Sequence, residues 1–244
     1  MLITKDSIYY GYKKAQLSKW PCPNCYSIGL KKLEIRSYEN NYSKSKRKTK
    51  SKEGVFVGIL KCIHEDCSCI ISVCGDYRMS QNKNKIVEDF FPLHFNPPIP
   101  IFKVAEYEEI SFELIEVINM AFRLFWTDLN ACSNKIRIVI EQILNDKKIR
   151  KTKKLDKPKY GRKTEDISLH KRIILFGEKY PGLDKHLTAI KWIGNEGSHK
   201  YEGLDVNDLL DAFAILEDVL ESLYGYRSKE LNSTIKRINK RKKP

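Results

Sequence analysis

Two pairs of closely spaced cysteines constrain the fold of this chain more than any other feature of its sequence. Cys22 and Cys25 are separated by two residues, and Cys62 and Cys67 by four. Short spacings of this kind place each pair of thiolates on a tight turn, and two such turns can supply the four ligands of a tetrahedral zinc ion. The sequence therefore predicts a structural zinc site formed by these four cysteines.

The residues around the cysteines predict short β-strands. The stretches at 29–35, 55–60 and 69–74 are rich in β-branched and apolar side chains. Strands that flank two metal-binding turns look like a zinc ribbon, and we expect a small β domain of this kind at residues 1–95. One ligand stays open, because Cys69 or His64 could replace Cys67 in the second pair.

The sequence predicts neither a membrane helix nor a signal peptide. The sequence has no run that approaches the roughly 18 apolar residues of a membrane helix, and its first residues lack the apolar core of a signal peptide. We expect a cytoplasmic protein, and the cysteines of such a protein are more typical of metal binding than of disulfides.

A proline-rich stretch, Asn96-Pro-Pro-Ile-Pro100, predicts the domain boundary, because consecutive prolines hold the chain extended. Apolar residues beyond it recur at helical spacing in five stretches, which begin at Ile110, Leu129, Leu169, Leu183 and Val206. Five amphipathic helices with no strands between them can bury their apolar faces only against each other. We therefore expect a mainly α protein, in which an antiparallel helical bundle at 101–226 follows the small β domain.

Three basic runs stand out, at 43–52, 147–163 and 227–243. Together they hold 24 basic and two acidic residues, which exceeds the net charge of +14 of the whole chain and leaves the remainder acidic. Runs of like charge repel, so we expect the second run to be a loop and residues 227–244 to be a flexible tail. Mobile cations bind phosphates well, because binding releases counterions. The expected nucleic-acid contacts are Lys46, Arg47, Lys48, Arg150, Lys151, Lys153, Lys154, Arg237 and Arg241.

One further stretch carries candidate catalytic residues. Gly194 is typical of a residue that ends a helix, and Asn195 and His199 follow it. Histidine is the usual proton carrier near neutral pH, and asparagine can orient it or a ligand. The alternative is ordinary turn chemistry, in which Asn195 caps the next turn and His199 binds a loop backbone.

The order of these motifs resembles the family of domains of unknown function numbered 4145. The resemblance rests on the two cysteine pairs, the prolines, a helix with Arg137 and Glu141, and the Gly-Asn stretch with its histidine. That family is similar to the HEPN superfamily of helical bundles, many of which are metal-independent ribonucleases or nucleotide-binding modules in prokaryotic defence systems. The superfamily motif implies catalytic roles for Asn195 and His199, but Gly194 stands where the motif has arginine.

Three functions follow from these patterns. The first is a nucleic-acid-binding protein, for RNA more than DNA, of a defence or restriction-type system, in which the bundle forms a homodimer or docks a partner. The second is a metal-independent ribonuclease that uses His199 with an arginine from elsewhere, such as Arg137, although an ion pair of Arg137 with Glu141 is the simpler expectation. The third is a scaffold subunit of a larger defence assembly.

Overall fold

The computed structural model describes residues 2–3, 20–39, 51–82, 85–104, 107, 109–159, 162–196 and 204–241, and these form six helices and six strands. The expected mainly α class is wrong, because the strands form one four-stranded and one two-stranded antiparallel sheet. The protein is a mixed fold of helices and sheets. It divides into two compact units, Met1–Lys103 with Phe122–Asp128, and Val104–Ala121 with Leu129–Pro244.

Four long strands form the sheet of the first unit. They are β1 (Leu30–Glu39), β2 (Ser51–Cys62), β3 (Ile70–Asn82) and β4 (Lys85–Asn96), paired in sequence order. The strands run to 10–13 residues, roughly twice the usual length. The sequence pattern underestimates the length of these strands. The reason is that the alternation of buried and exposed side chains continues with polar residues such as Arg36 and Asp76 on the exposed face.

The other face of this sheet is buried in the core of the first unit. Phe56, Val73 and Phe95 are at most 3% exposed and lie on that face. The ring of Phe95 meets Trp20 at a centroid distance of 4.9 Å and Trp126 at 5.1 Å. Trp20 thus anchors the residues just before the first cysteine pair to the core.

The helices are α1 (Phe112–Thr127), α2 (Leu129–Asp146), α3 (Leu169–Lys179), α4 (Leu183–Glu196), α5 (Val206–Tyr224) and α6 (Tyr226–Arg241). In the second unit, α2 packs against α4 and α5, and α4 also packs against α3 and α5. The predicted apolar positions Ile136, Ile140, Leu187, Ile190, Leu209, Phe213 and Leu216 are buried. Asp205 caps the N-terminus of α5, since its carboxylate accepts a hydrogen bond from the Asn207 amide at 3.2 Å. No described helix combines the length and apolar composition needed to span a bilayer.

The second basic run, expected to be a loop, forms a hairpin of β5 (Thr152–Lys159) and β6 (Arg162–Asp166). Acidic residues that follow the run explain the difference. Lys153 is the cross-strand partner of Glu165, and its Nζ lies 2.6 Å from that carboxylate. Opposite charges on paired strands stabilise the pairing. The expectation of a loop considered only the repulsion among the like charges within the run.

The C-terminal basic run, expected to be flexible, lies largely in helix α6. Its sequence has neither glycine nor proline between Tyr226 and Arg241, and its lysines, arginines and leucine have high helix propensity. The exposed side chains of Lys236, Arg237 and Lys240 therefore project from a helix.

Candidate functional site

The first cysteine pair lies on a tight turn just before strand β1. The Cys22 carbonyl accepts a hydrogen bond from the Tyr26 amide at 2.9 Å, and Tyr26 has a positive φ of 59°. The Asn24 amide points back at Cys22 Sγ, at 3.4 Å. Amides aimed at a sulfur favour its thiolate form, which is the form that binds metals.

The second pair repeats this arrangement at the end of strand β2. The His64 amide lies 3.4 Å from Cys62 Sγ, and the Cys67 amide donates to the His64 carbonyl at 3.0 Å. Ile63 packs on Gly29, where any Cβ would fall 2.2 Å from the Ile63 side chain. Gly29 also has a φ of 136°, so this contact between the two turns requires glycine.

The four sulfur atoms converge. Cys22 and Cys67 Sγ lie 3.7 Å apart, Cys25 and Cys62 Sγ lie 3.6 Å apart, and all four lie within 4.8 Å of one another. A tetrahedron with metal–sulfur bonds of about 2.3 Å has edges of about 3.8 Å, whereas a disulfide needs about 2.05 Å. These distances fit four ligands around one metal ion, so the cysteines can bind a metal.

Neither alternative fourth ligand belongs to this group. His64 is exposed, and Cys69 lies at the edge of the site. Burial raises the pKa of Cys22. Burial also acts upward on the pKa of Cys25, but hydrogen bonds with the side chain and backbone of Ser27 outweigh it and lower that pKa to about 6. The hydrogen bonds of Ser27 therefore favour the thiolate form of Cys25, which is the form that binds a metal.

The candidate catalytic residues are brought together in part, where α2 packs on α4. Arg137 Nη1 donates to Asn195 Oδ1 at 3.2 Å, and Ser133 Oγ donates to the Ile193 carbonyl at 3.0 Å. The expected ion pair between Arg137 and Glu141 is absent from the salt bridges of the described residues. The arginine instead reaches the asparagine of the Gly-Asn stretch.

Gly194 does not end α4, which continues to Glu196. A Cβ at Gly194 would lie 3.2 Å from Arg137 Cβ and 3.4 Å from the Ser133 carbonyl. The glycine therefore allows two helices to approach closely, and the expected helix cap is wrong. His199 lies outside the described residues.

The predicted nucleic-acid contacts are spread over several elements. Lys46, Arg47 and Lys48 lie outside the described residues, as does the side chain of Arg241. The others are all exposed: Arg150, Lys151, Lys153 and Lys154 at the start of the hairpin, and Arg237 on α6.

A family model described as a domain of unknown function, DUF4145, matches residues 119–241, about half of the chain. The chain belongs to this family. A second model, described as the domain of unknown function DUF8608, matches residues 10–96. No curated protein and no solved structure matches the chain. The DUF4145 match contains Arg137, Asn195 and His199, and the DUF8608 match contains the four cysteines.

The sequence analysis did not single out two polar residues that make buried or part-buried contacts. Arg172 is 6% exposed and donates from Nη2 to Asn145 Oδ1 at 2.8 Å and to the Ile149 carbonyl at 3.1 Å. Its position next to Ile173 on the predicted apolar face could have revealed its burial. Asn24, between the first two cysteines, donates from Nδ2 to Cys67 Sγ at 3.5 Å.

Proposed function

We propose that the protein binds nucleic acid, RNA in preference to DNA, and that it serves in a prokaryotic defence or restriction-type system. The observation that carries this proposal is the placement of exposed cations on or directly beside ordered elements. Arg150 and Lys151 lie directly before β5, and Lys154 lies on it. Lys236, Arg237 and Lys240 lie on α6, and all six side chains are exposed. Cations that are already held in place lose less entropy on binding a phosphate backbone than cations on a loose tail.

The metal in this proposal is zinc, and its role is structural. Four cysteine thiolates are a soft ligand set typical of structural zinc, while magnesium and calcium prefer oxygen ligands. The first unit is accordingly a zinc-ribbon-like module, and the second is a HEPN-like bundle that forms a homodimer or docks a partner. Zinc here would fix the turns that carry the sheet, without taking part in a reaction.

Salt dependence tests the nucleic-acid proposal. The double variant Arg150→Gln with Lys154→Gln should make the slope of log affinity against log salt shallower by about 1.5, because each lost phosphate contact removes roughly 0.7 to 0.9. Lys179→Gln with Lys185→Gln removes the same charge from exposed positions elsewhere. Equal slopes for the two variants would show that only net charge matters and would contradict the proposal.

A second function, metal-independent ribonuclease, is favoured by the hydrogen bond between Arg137 and Asn195. RNA cleavage through the 2′-hydroxyl needs a proton carrier and a cation beside the phosphate. Arg137 would supply the cation that Gly194 lacks, and His199, four residues after Asn195 in the sequence, would move the proton.

Cleavage of RNA in the presence of EDTA tests this second function, with the zinc content measured alongside. His199→Ala and Arg137→Ala should each abolish cleavage and leave binding nearly unchanged, and Arg137→Lys should restore part of the activity. Cleavage that persists in both alanine variants would exclude these residues as the catalytic pair.

A further inference from the structure

The exposed face of the four-stranded sheet carries an unusual row of side chains. We call this face, opposite the buried Phe56 and Phe95, the outer face. Cross-strand partners point to the same side of a sheet, so one row runs from edge to edge across all four strands. This row consists of Tyr38, Val55, Asp76 and Phe91. Tyr38 is 51% exposed and Val55 is 42% exposed.

A cavity of about 380 Å³ lies on the outer face beside this row. Tyr38, Arg36 and His94 line it, Val57 and Ile59 form its apolar part, and the Ser72 side chain is exposed along the same wall. An aromatic ring, an apolar floor and a few polar groups at the edge are the features of sites that bind flat heteroaromatic groups.

A second cavity lies on β2–β4, beside Phe91 at the other end of the row. The Arg78 guanidinium lies 5.7 Å from the centre of the Phe91 ring. Since adjacent strands are about 4.8 Å apart, the two aromatic side chains lie roughly 14 Å apart across the sheet. That separation leaves room for separate bases on the two rings.

Lysines face each other at the far end of the outer face. Lys31 and Lys61 are directly opposite on β1 and β2, and both are exposed. Like charges opposite each other destabilise a strand pair, so this pair is unfavourable unless an anion binds there. The arginines in the middle differ, because Glu34 pairs with Arg36 and Glu53 with Arg78. The two lysines therefore offer positive charge to an anionic ligand, and the aromatic residues offer rings on which bases can stack.

We propose that the outer face binds single-stranded RNA, with bases stacked on Tyr38 and Phe91 and a phosphate held by Lys31 and Lys61. This inference rests on the proposed nucleic-acid function and names the strand that the first unit recognises. A duplex would hide the base faces that aromatic side chains need. The hydroxyl of Ser72 and the ring of His94 can hydrogen-bond a 2′-hydroxyl, which favours RNA over DNA.

Binding of the full-length protein to a labelled single-stranded RNA tests the stacking. Tyr38→Ala should weaken binding by about ten-fold or more, since one stacked base contributes roughly that much. Tyr38→Phe keeps the ring and should bind like the unaltered protein. The matched control is Ile86→Ala, an exposed apolar residue on β4 whose side chain alternation places it on the opposite side of the sheet. Thermal melting confirms that each variant is folded.

Lys61→Glu separates binding from structure, because the two effects have opposite signs. The change converts a like-charge pair into an ion pair with Lys31, so the melting temperature should rise slightly while affinity for RNA falls. A purely structural role for Lys61 would leave RNA affinity unchanged.

Two competitors complete the experiment, a duplex of the same RNA and single-stranded DNA of the same sequence. Both should bind more weakly than single-stranded RNA. Equal binding of the duplex or unchanged affinity of Tyr38→Ala would overturn this inference while the proposed function stands. Equal binding of the DNA would overturn this inference and the RNA preference of the proposed function, and only nucleic-acid binding itself would stand. No binding of any nucleic acid by the unaltered protein would overturn both.

Discussion

The cysteine site in the first unit and the Arg137–Asn195 contact in the second both join distant parts of the chain, but they differ in what they depend on. The cysteine site gathers four ligands from two tight turns, so the loss of one ligand disables the whole. The contact between α2 and α4 has two hydrogen bonds from side chains, Arg137 to Asn195 and Ser133 to the Ile193 carbonyl. Both lie on helices whose apolar faces are buried independently of them. We expect a metal bound by the cysteines to stabilise the turns around it, whereas the packing of α2 on α4 positions the contact between Arg137 and Asn195.

The largest effect is expected at the cysteine site. Cys62→Ser should abolish metal binding and unfold the turns next to β1 and β2, because ligands and fold are coupled when the metal is structural. Metal analysis and circular dichroism measure this. Cys74→Ser, which changes a cysteine outside the cluster, is the control. A folded, zinc-free Cys62→Ser protein of unchanged melting temperature would contradict the first half of the comparison.

Acidification, like the loss of a cysteine, should release the metal and destabilise the first unit. Metal binding requires thiolates, so protons compete with the metal, and zinc should be released as the pH falls. Zinc released at different pH values can be followed with a chromogenic chelator. Stability of the first unit should decline together with the bound zinc, and stability that persists after release would contradict a structural role.

The close approach of α2 and α4 gives the next largest effect. Gly194→Val should destabilise the second unit by about 2 kcal/mol, because the added atoms collide with Arg137 and the Ser133 carbonyl. Gly194→Ala should be nearly neutral, since a Cβ contact at 3.2 Å is offset by a gain in helix propensity of up to about 1 kcal/mol. Denaturant unfolding distinguishes the two. Equal stability of the valine and alanine variants would show that the helices can separate freely.

Removing the hydrogen bond between Arg137 and Asn195 should have a smaller effect on stability. Arg137→Ala and Asn195→Ala should each lower stability by about 1 kcal/mol, and the double variant should lose less than the sum. A double-mutant cycle gives the coupling directly. A coupling near zero would mean that the hydrogen bond contributes nothing and that the contact serves another purpose.

The smallest effect is expected in the hairpin. Lys153 and Glu165 are each close to half exposed, so Lys153→Ala should change stability by less than about 0.5 kcal/mol. The change in stability measured for Lys153→Ala gives the size of effect expected from an exposed ion pair. The effects in the two other regions can be compared with it.

An interaction could be predicted from the sequence when the residues that make it lie close together in the chain. The four cysteines that the structure brings together could be named from their spacing, because two turns of a few residues fix each pair. The contact between Arg137 and Asn195 joins residues 58 positions apart, and no local pattern showed that a glycine would bring their helices together. The hairpin after α2 was missed for a similar reason, since Glu165 stabilises it from the strand opposite Lys153.

The sequential order of the four-stranded sheet affects how the metal site can assemble. Strands β1 and β2 are neighbours in the chain, and their pairing begins at Leu30 and Cys62. Pairing of these two strands places Cys25 Sγ 3.6 Å from Cys62 Sγ, and this pairing does not itself require a metal. We therefore expect a metal to meet a partly assembled pair of cysteines, so that the rate of metal capture follows metal concentration while the strands pair at their own rate.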